Sequence, residues 1–218
     1  MLNSGPHDTA ETRRRAGGAN TESLVSEKPP ETTRLAFTRF CDSDAAELAE
    51  LLRDPEITRT ITANAATPQK RAACARHRIA WHNGAWDTRG YGVWALRAKD
   101  LPAKQAERLI GWCGFTEPDV GEDPEILYGL ARDCWGRGLA SEAAAASIDW
   151  LFAHTKAGDV SALIMARLNP GSLKVTERLG FTRRGTMSFA DFLPDPVLAE
   201  DVLDYEIWRL GIGETLDP

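Results

Sequence analysis

Two periodicities run along the chain. Alternating apolar and polar positions predict a half-buried strand, and apolar returns every three or four positions predict a helix with one buried face. Arg34-Leu-Ala-Phe-Thr-Arg-Phe40 alternates and reads as the first strand. Asp42-Ser43-Asp44 can cap a helix whose apolar positions include Ala45, Leu48, Leu51 and Leu52. Thr67-Pro68 opens a second helix, since a proline in the first turn forfeits no helical hydrogen bond. That helix is expected to run to about Trp81 and to break at Asn83-Gly84. Tyr91 to Arg97 and Leu109 to Phe115 read as partner strands joined by a loop from Lys99 to Arg108. Ile126 to Leu130 is a short strand that runs into Trp135-Gly136-Arg137-Gly138. An alanine-rich helix follows from about Leu139 to Ala153, then a strand from Val160 to Ala166. A short helix from Asn169 to Leu179 stops at Gly180, and Phe181 to Met187 and Val202 to Leu210 are the last strands. About seven strands and four helices in mixed order predict an α/β or α+β domain, a sheet covered by helices.

Composition sets the limits of that domain. Residues 1–31 are rich in Gly, Ser, Thr, Glu, Pro and Arg, and read as a disordered leader ahead of a domain spanning 32–214. Arg13-Arg14-Arg15 within it is either a solvated cluster or a small electrostatic contact. A net charge of -6 argues against nucleic acid as the main partner and leaves a cationic acceptor compatible. No apolar run approaches the roughly 18 residues of a membrane span, and no apolar signal core opens the chain. The cysteines at 41, 74, 113 and 134 form no Cys-x-x-Cys pair, and the histidines at 7, 77, 82 and 154 match no metal-ligand spacing. Free thiols in a cytoplasmic protein without a metal is the expectation.

The strongest local signal is Leu130-Ala-Arg-Asp-Cys-Trp-Gly-Arg-Gly-Leu-Ala-Ser-Glu-Ala143. A strand ends, two glycines follow, and a helix begins. Glycines let backbone approach a ligand, and the first turn of a helix carries unpaired N–H groups and partial positive charge. Together they suit a pyrophosphate, with Arg137 as a charged donor at the mouth. The same residues can also be only a tight strand-to-helix turn. Gly-Lys-Ser/Thr is missing, so this is no P-loop, and the spacing of a dinucleotide fingerprint fails.

A second segment, Asn169-Pro-Gly-Ser172 with Leu179-Gly180-Phe181, lies about thirty residues downstream. The two together resemble the GNAT superfamily of N-acetyltransferases. They are closest to the branch that acetylates N-termini of ribosomal proteins, with its Trp-Gly-x-Gly-x-Ala-x-Glu-Ala, Asn-x-x-Ser and Leu-Gly-Phe. The resemblance implies a mixed, mostly antiparallel seven-stranded sheet with acetyl-coenzyme A as co-substrate. It places the pyrophosphate on the backbone from Gly136 through Arg137, Gly138, Leu139 and Ala140 to Ser141, next to Trp135. The pantetheine arm then pairs with Tyr128, Gly129 and Leu130, in a splay between that strand and the next. Asn169 contacts the arm or the acceptor. The branch is compatible with a homodimer.

Acetyl transfer to an amine needs the neutral amine. With a pKa of about 10.4, only about one lysine-like amine in a few thousand is neutral at pH 7. A positioned carboxylate, acting directly or through water, offsets part of that cost. The candidate base is Glu125, at the head of the strand before the glycine loop, where the branch often carries a glutamate. Its other reading is a surface glutamate at a strand end. Glu117 is the runner-up. Ser172 is the candidate acid for the leaving thiolate, or else an ordinary polar residue or cap in a first helical turn. Many GNAT enzymes carry a tyrosine four residues before the glycine of Leu-Gly-Phe, where this chain has Thr176. Glu142 is expected to pair near the helix start, and Trp81, Trp86, Trp94 and Trp112 to form core or pocket wall.

Two stretches, Glu117 to Glu125 with five carboxylates and Asp191 to Glu206 with six, hold no base. They are either solvated loops or a negative funnel for a cationic amine. The functional expectation is acetyl transfer to a small-molecule amine or a protein N-terminus. The alternative is a non-catalytic coenzyme A sensor on the same fold.

Overall fold

The computed structural model describes residues 28–58, 66–101, 107–117, 122–188 and 204–212. Among the described residues there are seven strands: β1 (Leu35–Thr38), β2 (Val93–Ala98), β3 (Leu109–Thr116), β4 (Glu125–Leu130), β5 (Asp159–Ile164), β6 (Thr182–Ser188) and β7 (Asp204–Gly211). Five helices accompany them: α1 (Asp44–Leu51), α2 (Pro55–Thr58), α3 (Pro68–Arg89), α4 (Leu139–His154) and α5 (Pro170–Arg178). The strands form one sheet in the order β1-β2-β3-β4-β5-β7-β6. Every neighbouring pair is antiparallel except β4 and β5.

Alternation along the strands splits the core into two layers. Trp94, Leu96, Ile110, Cys113, Phe115, Ile126 and Leu130 pack with the buried stripe of α4. Val93, Ala95, Leu109 and Trp112 pack on the other side with Leu48, Leu52, Ile57, Ala75 and Ile79 of α1, α2 and α3. The sheet therefore lies between α4 on one face and α1 to α3 on the other.

Three expectations need correcting. The helix that opens at Thr67-Pro68 does not break at Asn83-Gly84 but continues to Arg89, ending at Gly90 with φ +73°. Its start is as read, with Thr67 Oγ1 accepting the Lys70 N–H at 3.2 Å. Tertiary contacts carry it through the break signal. Asn83 donates its side-chain amide to the Phe40 carbonyl at 3.0 Å. Beyond it, Trp86 packs its ring 4.0 Å from that of Trp94 and 5.4 Å from that of Trp150. Secondly, Ser43 occupies the cap position of α1 without a side-chain cap bond. Asp44 turns back instead, accepting the Cys41 N–H at 2.9 Å and pairing with Arg97. Thirdly, Trp81 is 46% exposed and joins no core, whereas Trp86, Trp94 and Trp112 are buried. The short α2 was not expected, because four residues are too few to show a period.

Residues 1–27 of the expected leader lie outside the described residues. Its last residues meet the domain: the Lys28 carbonyl accepts from Trp150 Nε1 at 2.9 Å, and Glu31 takes a hydrogen bond from Lys99 Nζ at 2.8 Å. Among the described residues, no helix is long and apolar enough to cross a membrane.

Candidate active site

The glycine loop makes the turn expected of it. Gly136 and Gly138 hold φ values of +72° and +76°, a region costly for any residue with a Cβ. The first ladder bond of α4 runs from the Glu142 N–H to the Gly138 carbonyl at 3.0 Å. The N–H groups from Gly136 to Ser141 donate to no acceptor among the described residues. A row of unpaired donors at the positive end of a sixteen-residue helix is an anion site in waiting.

That row opens into a cleft of about 450 Å³. The lining brings together Tyr128, Gly129 and Leu130 of β4, Trp135, Gly136, Gly138, Leu139, Ala140 and Ser141 of the loop and helix, and Asn169 and Ser172 of α5. The cleft exists because β4 and β5 part company. They share one register pair, Glu125 with Ser161, and beyond it β4 has no strand partner on that side among the described residues. Trp135 closes the loop by donating its Nε1 to the Leu130 carbonyl at 2.7 Å, which leaves its ring half-exposed at the cleft. Asn169 caps α5, its side-chain oxygen taking the Ser172 N–H at 3.1 Å, so its amide NH₂ remains as the donor.

Three candidates do not line the cleft. Arg137 sits on the loop but is absent from the lining, and its guanidinium pairs with Asp100 at 2.6 Å. Glu125 is 8% exposed at the head of β4 and also does not line the cleft. Strand rise puts it roughly 13 Å from Gly129 on the same face. Glu117 is exposed and pairs with Arg89.

The candidate acid for the leaving thiolate is better placed. Ser172 lines the cleft. Its carbonyl accepts from the Tyr128 hydroxyl and from Thr176 Oγ1, both at 3.3 Å. Burial pushes the Tyr128 phenol up to about 12, so it remains a donor at neutral pH. Thr176, at the position where the resemblance led to an expected tyrosine, is buried and donates its hydroxyl to helix carbonyls. Cys134 lines the cleft too, but burial and then the charge of Asp133 raise its thiol pKa, which disfavours the thiolate a nucleophile needs.

Sequence reasoning missed several lining residues. Lys174 and Arg178, one turn apart on α5, add two cations to the donor side of the cleft, and Arg178 Nη1 lies 3.9 Å from where a Cβ on Gly138 would stand. Their i, i+4 spacing was the available signal. Glu56, Ile57 and Trp112 line the side toward α1 and α2. Trp112 stacks its ring over Gly129, where a Cβ would come within 2.4 Å of it. The acidic stretches are only partly visible, since residues 118–121 and 191–203 lie outside the described residues. Of their described members, Asp123 pairs with Arg209 at 3.1 Å and Glu206 with Arg183 at 3.3 Å.

Comparison with known proteins agrees with this geometry. The family model of the acetyltransferase (GNAT) domain matches residues 34–182. The uncharacterized N-acetyltransferase p20 of Bacillus licheniformis is 30% identical over 157 residues, which is 72% of this chain and 83% of that protein. A GNAT-family acetyltransferase structure from Bordetella pertussis superposes with a TM-score of 0.65 at 23% identity, covering 84% of this chain and 99% of that one. RimL, a ribosomal L7/L12 alpha-N-protein acetyltransferase solved with coenzyme A, superposes with a TM-score of 0.64 at 17% identity, covering 85% and 98%. A strand followed by a Gly-Arg-Gly loop, a helix whose start is lined with unpaired donors, and a sheet that parts beside them stand together with the family match: the chain belongs to the GNAT acetyltransferase domain family and is an acyltransferase.

Proposed function

We propose that the chain moves an acetyl group from acetyl-coenzyme A to a primary amine, either a protein N-terminus or a small cationic amine. The observation that carries this reading is the cleft that joins the unpaired N–H row of α4 to the parted edge of β4. The residues present fit the donor. Backbone N–H groups of Gly136 to Ser141, with Lys174 and Arg178, suit its phosphates. The free edge at Tyr128 to Leu130 suits an amide-bearing arm, which can pair as a strand would. RimL, solved with coenzyme A, has the same fold.

The thioester supplies an activated acyl carbon. Direct transfer then needs a neutral amine, a stabilised oxyanion and a protonated leaving thiol. Backbone N–H groups along β4 serve the oxyanion. Ser172 hydrogen-bonds the leaving sulfur and relays to it a proton from water, so that its own hydroxyl is restored in the same step. Glu125, set back from the cleft, takes the amine proton through water. Glu56 gives the α2 side of the cleft a carboxylate, which favours a cationic acceptor.

The test is thiol release from acetyl-coenzyme A across a panel of amines and peptide N-termini, repeated with Glu125→Gln. Loss of a positioned base is expected to lower kcat by about a hundred-fold or more. A variant with full activity removes Glu125 from the mechanism. A second reading, a non-catalytic coenzyme A sensor, draws on one observation: neither Glu125 nor Glu117 lines the cleft. Binding of coenzyme A without thiol release on any amine would favour it.

A further inference from the structure

We infer that Arg34, just ahead of β1, is a positioning residue for the donor's phosphates, holding the glycine loop and the first turn of α4 in their binding shape; this rests on the donor reading above. Arg34 Nε donates to Glu142 Oε2 at 2.7 Å, and its Nη1 donates to the Arg137 carbonyl at 2.9 Å. Its Nη2 pairs with the same carboxylate and lies 3.8 Å from where a Cβ on Gly138 would stand. The Arg34 N–H reaches Glu142 Oε1 at 3.3 Å, and Thr32 Oγ1 donates to that oxygen at 2.5 Å. One guanidinium therefore ties the loop carbonyl to the helix's first turn, across 108 positions of sequence.

The loop needs such a tie. Gly136 and Gly138 carry no side chains to pack, so nothing of their own fixes the turn. In a trans peptide the carbonyl and the next N–H point opposite ways, so holding the Arg137 carbonyl also aims the Gly138 N–H. The second effect is electrostatic. Glu142 is a negative charge in the first turn of α4, beside the site for an anion. Arg34 neutralises it, so a phosphate meets the helix dipole and not a bare carboxylate. Arg34 is absent from the cleft lining and acts through the backbone it holds.

The experiment titrates coenzyme A into the full chain by calorimetry, for wild type, Arg34→Ala, Arg34→Lys and Arg34→Ala/Glu142→Gln. Arg34→Ala is expected to raise the Kd and the KM for acetyl-coenzyme A by on the order of ten-fold, the size of a lost charged hydrogen bond. The KM for the amine stays near the wild-type value. The double variant recovers part of the affinity, because the exposed carboxylate is gone. Lysine keeps the charge but cannot bridge two acceptors as the planar fork does, so Arg34→Lys regains melting temperature without regaining the Kd. A wild-type Kd in Arg34→Ala overturns the inference, as does full recovery of the Kd by lysine. If Arg34→Ala does not fold, Arg34→Lys is read alone, and a wild-type Kd in it is the overturning result. Amide exchange in the ligand-free protein separates this inference from the donor reading. Faster exchange at residues 137 to 142 in the Arg34 variants supports the tie, and unchanged exchange overturns it. A wild type that fails to bind coenzyme A while the variants loosen the loop would sink the donor reading and leave the tie standing.

Discussion

His82 is 3% exposed, stacked on Phe40 with ring centroids 5.8 Å apart. Burial, and after it the charge of Arg78, drives its pKa down to about 3 from an ordinary 6.5. Between those values the unfolded chain binds the proton and the folded chain does not, so stability rises with pH across that window and falls on acidification. The expected slope is at most about 1.4 kcal/mol per pH unit. Urea midpoints measured at pH 7, 6 and 5 should show it, and His82→Phe, which keeps the stack, should flatten it. An unchanged slope in that variant would place the effect on other groups. At this scale the sequence was readable where chemistry is local. The glycines at 136 and 138 stand in the roles their type suggests, whereas the side-chain cap of α5 is Asn169 and not Ser172, the residue read as a possible cap. Arg34 and Glu142 were not readable as a pair, because only the folded sheet brings them together. Trp81 misled for the same reason: its type favours burial, but its place on α3 turns it outward.

Helix α3 shows how packing overrides punctuation. Asn83-Gly84 is a sound break signal in isolation. In the folded chain Asn83 spends its amide on Phe40, and the helix earns another turn of burial through Trp86. Gly84 is then a residual cost in a helix interior. A Cβ there would meet nothing within 4 Å. Gly84→Ala is expected to stabilise the protein by about 0.5–1 kcal/mol, seen as a higher melting temperature with unchanged activity. A lower melting temperature would show that the glycine is needed in place. Elements with strong end signals were legible, as with Thr67-Pro68 for α3 and Gly138 for α4. The lengths of elements were not, since distant partners decide them. On α5 the reading stopped at Asn169 and Ser172. It overlooked Lys174 and Arg178, whose importance depends on α4 lying beside them.

The molecule as a whole carries a net charge of -6, yet Lys174, Arg178 and the α4 N-terminus face one cleft. Local field, not net charge, decides what binds there. Coenzyme A affinity is expected to fall with rising salt, as exposed charges are screened. Lys174→Ala and Arg178→Ala should each weaken binding about two- to five-fold and shallow the salt dependence. Affinity that ignores salt would mean that these cations do not meet the phosphates. The family match ends at residue 182, so β6 and β7 complete the sheet almost entirely beyond it. One further consequence belongs to this scale. The β4–β5 boundary has a single rung, so the sheet is two plates, β1 to β4 and β5 with β7 and β6, riveted at Glu125 and Ser161. Sheet hydrogen bonds cannot set the width of the gap between the plates; the helices that span it must. An arm lying along β4 would supply the missing rungs, and for as long as it stayed bound the substrate would be one more strand of the fold.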